Sequence, residues 1–299
     1  MKKLITSILL SLTASISWAN TQVVQIVWPF APGSTQATMI RHLIDSANQQ
    51  QNKYQFVFFN RPGAGGAIAA NYASSASSLT VLASTSSFYS RPLMYNESHD
   101  PEQFRLTNTI CLRGPLALFS KKYQSFNDMK NREVTVGINP GSVTQLFTQL
   151  LAQNNSSLKF REVPYKNTPD ATTDMLGQHI DSSVDLLSIG NLARLSGSAS
   201  VIGITGIRSF PGMPTMASLK VKGLENLTNS YFIFLPKSVD VSVARELNQL
   251  FNNAINDAVR ESCNGEHGQV ELTSFENTEK VHQSNQNQWR QLTQGIVKQ

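Results

Sequence analysis

This 299-residue chain has two cysteines, five histidines and no apolar run of membrane-spanning length, and each scarcity narrows its chemistry. His42, His99, His179, His267 and His282 hold no ligand spacing with one another or with cysteine, so no metal site is expected. Cys111 and Cys263 lie far apart in sequence. In an oxidising compartment they could close one long-range disulfide, but two separate thiols, one in a buried strand and one at a helix end, is the favoured expectation. Lysine and arginine are not interleaved with aromatics, which argues against nucleic acid as a partner. A G-x-S-x-G elbow is missing, and no Ser/His/Asp set falls on plausible neighbouring turns, so an enzyme such as a serine hydrolase is not expected. No G-x-x-x-x-G-K-[ST] phosphate loop occurs, and no cofactor is implied.

What is present begins with the N-terminus. Lys2 and Lys3 precede a short apolar stretch, Leu4 to Ile16, and Ser17-Trp18-Ala19 fits a small-x-small cleavage site. Residues 1–19 therefore read as a secretory signal, too short for a membrane anchor. Its removal would take Lys+Arg from 25 to 23 against 20 acidic residues, lowering the net charge from +5 to +3. The expected product is an exported, monomeric protein of two ordinary domains, large enough to fold without staples.

Strand-like apolar runs alternate with helical stretches, the pattern of an α/β protein. Strands are expected at Val23–Trp28, Phe56–Phe59, Thr80–Ser84, Leu116–Ser120, Val134–Ile138, Phe160–Val163, Ser183–Leu187, Val201–Thr205, Tyr231–Leu235 and Val270–Leu272. Helices are expected at Thr38–Gln50, Ala67–Ser75, Phe126–Asn131, Ser142–Gln153, Pro169–Gly177 and Glu279–Val297. Val241–Glu261 reads as one long amphipathic helix, with Val243, Leu247, Leu250, Phe251, Ala254 and Ala258 as its stripe. The final strand and helices need a sheet to rest on, so the chain is expected to cross between two domains near 104–118 and 226–234. Domain one would comprise 20–105 and 230–299, and domain two 106–229. In such folds ligands bind beyond the carboxyl ends of the strands, here in the cleft between the lobes.

One segment stands out locally. Asn60-Arg61-Pro62-Gly63-Ala64-Gly65-Gly66 follows a strand and opens an alanine-rich helix, a strand–turn–helix unit that leaves bare amides at a helix start. A second such unit spans Val23–Thr35.

These segments also carry a family likeness. Trp28-Pro29-Phe30-Ala31-Pro32-Gly33-Ser34-Thr35 resembles the first loop, usually PFAPGGST, of the substrate-binding proteins of tripartite tricarboxylate transporters, the Bug family. Asn60–Gly66 matches that family's NRPGAGG block without a change. Asp100-Pro101 with Phe104 is similar to its YDPxxDF stretch. Val163-Pro164-Tyr165-Lys166 through Asp174-Met175-Leu176-Gly177-Gln178 and Asp181 follows VPYKGxxPAxTDLLGGQVD, and Met213-Pro214-Thr215 sits at its VPT. The matches run in register over nearly the whole mature chain.

The resemblance implies a periplasmic Venus-flytrap protein that passes a small carboxylate or amino-acid ligand to membrane permease subunits; a receptor acting on a two-component sensor kinase is the alternative. It further implies that the ligand carboxylate is held by backbone amides and waters of four loops. Those loops supply the candidates Phe30, Ala31, Pro32, Gly33, Ser34 and Thr35; Ser84 and Ser86; Asn139, Gly141, Ser142, Val143 and Thr144; and Asp185. Ser142 also reads as a helix N-cap, a role compatible with binding. Asp185 could orient an ammonium or a water, or be a solvated loop acid. Gly63–Gly66 reads as scaffold more than as a ligand contact, and Trp28 and Trp289 as packing. The chain departs from the family pattern at Ser34, Ala37, Gln145 and Asn167 and in a shortened loop before Ser142. These departures are expected to cluster at the cleft, leaving the carboxylate loop intact while the rest of the pocket has drifted.

Overall fold

The computed structural model describes residues 21–30 and 32–298. The signal expected at 1–19 and the candidate Ala31 lie outside them. The first βα units are β1 (Gln22–Trp28), α1 (Thr35–Gln50), β2 (Tyr54–Asn60), α2 (Ala67–Ser75), β3 (Thr80–Thr85) and α3 (Ser87–Met94). The long strand β4 (Phe104–Ser120) leads to α4 (Phe126–Met129), β5 (Glu133–Ile138), α5 (Val143–Gln153), β6 (Lys159–Pro164), α6 (Thr168–Leu176), β7 (Ser182–Leu186), α7 (Ile189–Leu195) and β8 (Ser200–Ile204). The chain returns through β9 (Thr228–Pro236) to α8 (Val241–Asn253), α9 (Asp257–Gly265) and α10 (Phe275–Leu292).

The strands are ordered β2-β1-β3-β9-β4-β7-β5-β6, with β8 also paired to β4. β1 runs parallel to β2 and β3, and β5 parallel to β6 and β7, as βαβ crossovers require. Between these parallel groups lie β4 and β9, which are antiparallel to each other. The first part of β4 pairs with β9; from Leu116 onward it pairs with β7 and β8 instead. The partner switch coincides with register shifts from Leu106 to Gly114 and with Arg113 at φ +65°. Such bulges bend a strand, and here the bend carries one polypeptide from one lobe into the other.

Several expectations change. Cys111 of β4 and Cys263 of α9 form a disulfide rather than two separate thiols. Gly268 makes room for it, since a Cβ there would lie 2.4 Å from Cys111 Sγ. Sequence spacing could not show that α9 folds back over β4. The helix expected at 241–261 is two helices, because Asn256 caps α9 by accepting the Val259 N–H (3.1 Å). The break turns α9 onto α1, where His42 Nδ1 meets Ser262 Oγ at 3.2 Å. Val270–Leu272 is not a strand; a lone bridge joins Leu112 to Gln269. Side chains replace a ladder there: Asn248 Nδ2 donates to Thr107 O (2.7 Å) and Thr273 O (2.9 Å), and Thr109 Oγ1 donates to Glu271 O. The helices α3, which contains Pro92, and α7 were not expected, nor was the first half of β4, interrupted by Asn108, Gly114 and Pro115.

No helix among the described residues is long and apolar enough to cross a membrane.

Candidate functional site

A cavity of about 80 Å³ lies where the N-termini of four helices converge. That is room for roughly five to eight waters, or one small solute. Each approach is set by a local rule. At α1, Ser34 Oγ accepts the Ala37 N–H (3.2 Å). At α5, Ser142 Oγ accepts the Thr144 N–H (3.2 Å) and donates to Asn139 O (2.8 Å), while Thr144 Oγ1 accepts the Asn139 N–H (3.1 Å). Asn167 caps α6, accepting the Asp170 N–H (3.1 Å). Ser87 opens α3. The first-turn amides of any α-helix have no partner within the helix, so a cavity ringed by such termini is a ready anion site.

Phe30, Ser34, Asn139, Ser142, Val143, Thr144 and Asp185 line this cavity together. Of the other described candidates, Pro32, Gly33, Ser84, Ser86 and Gly141 do not. Pro32 and Gly33 face outward on an exposed turn, where Pro32 O accepts Arg41 Nη1 (2.7 Å). Ser84 and Ser86 are displaced by one residue from the lining pair Thr85 and Ser87. Ser86 exchanges bonds with Ser230, joining β3 to β9. Gly141 packs away from the cavity, against Arg91. Thr35 begins α1.

Sequence reasoning missed Trp28, Gln36, Thr168 and Asn229, all of which line the cavity, whereas Asn167 was expected at the cleft as a departure from the family pattern. Trp28 is fully buried, as a packing residue would be, yet its indole Nε1 has no partner within the protein. The position of Trp28 at the carboxyl end of β1 was the available signal. Asp185 Oδ1 accepts Thr168 Oγ1 (3.1 Å) and the Leu186 N–H (2.8 Å). Among the described residues, Asp185 is the only ionisable side chain in the lining.

The glycine-rich turn supports the site from behind. Asn60 Nδ2 donates to Trp28 O (2.9 Å) and Phe30 O (2.7 Å), fixing the first loop. Gly65, at φ +56°, abuts the other lobe: a Cβ there would lie 2.8 Å from Pro140 O and 3.1 Å from Gly141 C. Arg91 Nη1 donates to the same Pro140 carbonyl (3.2 Å), and its guanidinium lies 4.0 Å over the Tyr95 ring. Burial in this contact lowers the Arg91 pKa from its ordinary value. Tyr95 Oη donates to Gln145 Oε1 (2.9 Å), which also accepts the Gly141 N–H (2.7 Å). The lobes thus meet at a seam beside the cavity. Of the departures expected to gather in the cleft, Ser34 and Asn167 do; Gln145 lies in the seam and Ala37 is buried in α1. A larger cavity of about 880 Å³ behind the hinge, between β4 and α10, contains none of the candidate loops beyond Ser86.

A bent sheet shared by two lobes, with helix N-termini facing a small cavity between them, is the architecture of a two-lobed periplasmic binding protein. The chain belongs to the tripartite tricarboxylate transporter family of receptors, whose family model matches residues 39–297. It is 25% identical over 254 residues to the UPF0065 protein in the tcbD-tcbE intergenic region of Pseudomonas sp. (strain P51), covering 77% of this chain and 73% of that one. Its fold is similar to that of the periplasmic binding protein BugD (TM-score 0.80, 20% identity, 93% of this chain and 99% of that one). It is also similar to R. palustris Rpa4515 with adipate (TM-score 0.79, 21% identity, 93% and 97%). MatC (Rpa3494) from Rhodopseudomonas palustris with bound malate superposes with a TM-score of 0.74 at 18% identity, over 91% and 98% of the two chains. The chain is accordingly a solute-binding protein.

Proposed function

We propose that this protein captures a small carboxylate-bearing metabolite in the cavity between its lobes and delivers it, in the periplasm, to the permease subunits of a tripartite tricarboxylate-type transporter. The lobes comprise 20–105 with 230–299, and 106–229, and residues 1–19 are the export signal. The observation that carries this reading is the convergence of capped helix N-termini on a cavity whose described lining has no cationic side chain. Preorganised amides can hold a carboxylate without a salt bridge. Each charge-assisted bond contributes about 1.5–3 kcal/mol, and a helix terminus about 0.3–1 kcal/mol more. Two or three such bonds reach the roughly −8 kcal/mol of micromolar binding. The adipate and malate held by the structural neighbours are ligands of this class. The protein acts by binding and release, not by catalysis.

The test is a thermal-shift and calorimetric screen of mono-, di- and tricarboxylates and amino acids on ligand-free protein. A bound compound at a hundredfold excess over Kd adds about 2.7 kcal/mol of stability. Protein free of carried-over ligand that responds to none of them refutes the proposal.

A further inference from the structure

The interlobe cavity has a counterpart behind the hinge, and the crossing strands show that the two are opposed. Leu116 of β4 and Asn229 of β9 line the interlobe cavity, whereas their neighbours Pro115, Thr228 and Ser230 line the cavity of about 880 Å³ behind. Thr85 and Ser87 alternate with Ser86 in the same way. Successive side chains of a strand point to opposite faces, so β4 and β9 separate the two spaces. The rear space has one wall from each lobe. From α10 come Val281, Ser284, Gln288 and Trp289, a single stripe at helical spacing, and from the other lobe come residues 205–208 and Asn226. The walls touch where Gln288 Nε2 donates to Asn226 O (3.1 Å) and where the Phe210 and His267 rings lie 4.7 Å apart.

In this arrangement the lobes are in contact on the solute side, at the bond from Arg91 to Pro140 O, and stand apart at the rear. A rotation about the two hinge strands that parts the lobes at that seam brings the rear walls together. We infer that the rear cavity is the space into which the lobes swing when the cleft opens, so that its walls set the affinity of the cleft without touching the solute. Ile207 suits that role. At 86% exposed it is the most exposed large apolar side chain among the described residues, and it stands on the wall opposite Val281. Opening covers it, which stabilises the open arrangement. A group that fills the rear cavity has the opposite effect, because the open arrangement has no room for it. The solute is gripped by both lobes only in the closed arrangement, so the apparent Kd is the intrinsic one divided by the closed fraction. The inference rests on the solute-receptor reading above and adds to it the residues that set the resting balance of the lobes.

The experiment compares Ser284→Trp, which places an indole in the rear cavity, with Gln283→Trp, which places one on the exposed face of the same helix. An indole is small beside about 880 Å³, so the closed arrangement accommodates it. Each protein, freed of carried-over ligand, is titrated calorimetrically with the tightest-binding carboxylate of the screen, and small-angle X-ray scattering gives its radius of gyration without ligand. Ser284→Trp should bind at least about fivefold more tightly than wild type and be more compact when ligand-free, with Gln283→Trp unchanged in both respects. Ile207→Ser alters only an exposed side chain and should tighten binding about two- to fivefold; it decides the matter if Ser284→Trp does not fold. Wild-type or weaker affinity in the folded variant overturns the inference and leaves the solute receptor standing. If no carboxylate binds the wild-type protein, the receptor reading fails and the ligand-free scattering decides alone. A Ser284→Trp protein more compact than wild type then upholds the rear cavity as the space of lobe opening, and equal radii overturn it.

Discussion

Gly65 offers a sharp separation between a turn and an interlobe contact. It adopts φ +56°, a left-handed conformation that costs an L-residue about 1 kcal/mol. A Cβ at this position would stand 2.8 Å from Pro140 O, a backbone atom of the facing lobe, so Gly65→Ala cannot be relieved by a side-chain rotation. The lobes must instead part by roughly half an ångström, an overpacking cost of about 1–3 kcal/mol. That cost falls on the closed arrangement alone. Gly63→Ala is the control. Gly63 sits at φ +126°, where only glycine is comfortable, and its new Cβ would meet only the Ile68 Cδ1 methyl, which can move. Both variants should lose stability in urea unfolding. Only Gly65→Ala should also weaken solute binding, by about five- to a hundredfold, in calorimetry at a temperature where both are folded. Equal affinities for the two variants would refute the claim that the glycine turn carries the lobe contact.

Three further perturbations follow from the structure. Replacing both Cys111 and Cys263 with serine should cost roughly 2–5 kcal/mol and lower Tm by several degrees, because the bridge spans 152 residues; an unchanged Tm would contradict a formed disulfide. Burial lowers the His99 pKa to about 4, its ring bonding Phe88 O (2.9 Å), so the unfolded chain binds the extra proton between pH 6.5 and 4. Stability should therefore fall as pH drops through that window, by roughly 2 kcal/mol between pH 7.5 and 5, and His99→Gln should flatten the urea-measured dependence. Asn60→Ala removes both bonds that hold the Phe30 loop, so affinity should fall at least about fivefold; affinity equal to wild type would make Asn60 a turn residue only.

Much of this molecule was legible because its chemistry is local. The Ala67–Ser75 helix was placed to the residue, since Gly66 before it and the alanine run within it are both sequence signals. Ser142 was legible as a cap because capping needs only the next two residues. Trp28 was not, because nothing local distinguishes a buried indole that packs from one that also faces a cavity. Ser84 and Ser86 missed the lining by one position, since strand side chains alternate and an offset of one reverses their direction. The disulfide and the side-chain clamp on residues 269–273 depend on α8, α9 and β4 meeting in space, whereas the break at Asn256 carried a local signal, an asparagine N-cap inside an otherwise continuous apolar stripe. The role of Gln145 was hidden for the same reason: its partners Tyr95 and Glu162 lie 50 and 17 residues away.

The most direct measurement is a crystal structure of the ligand-free protein soaked with the tightest-binding acid from the screen. The account predicts the carboxylate between Ser34 and Ser142, against the first-turn amides of α1 and α5, with both lobes in contact with the ligand. Density in the hinge-side cavity near Arg113 and Trp289, or a ligand touching one lobe alone, would contradict it.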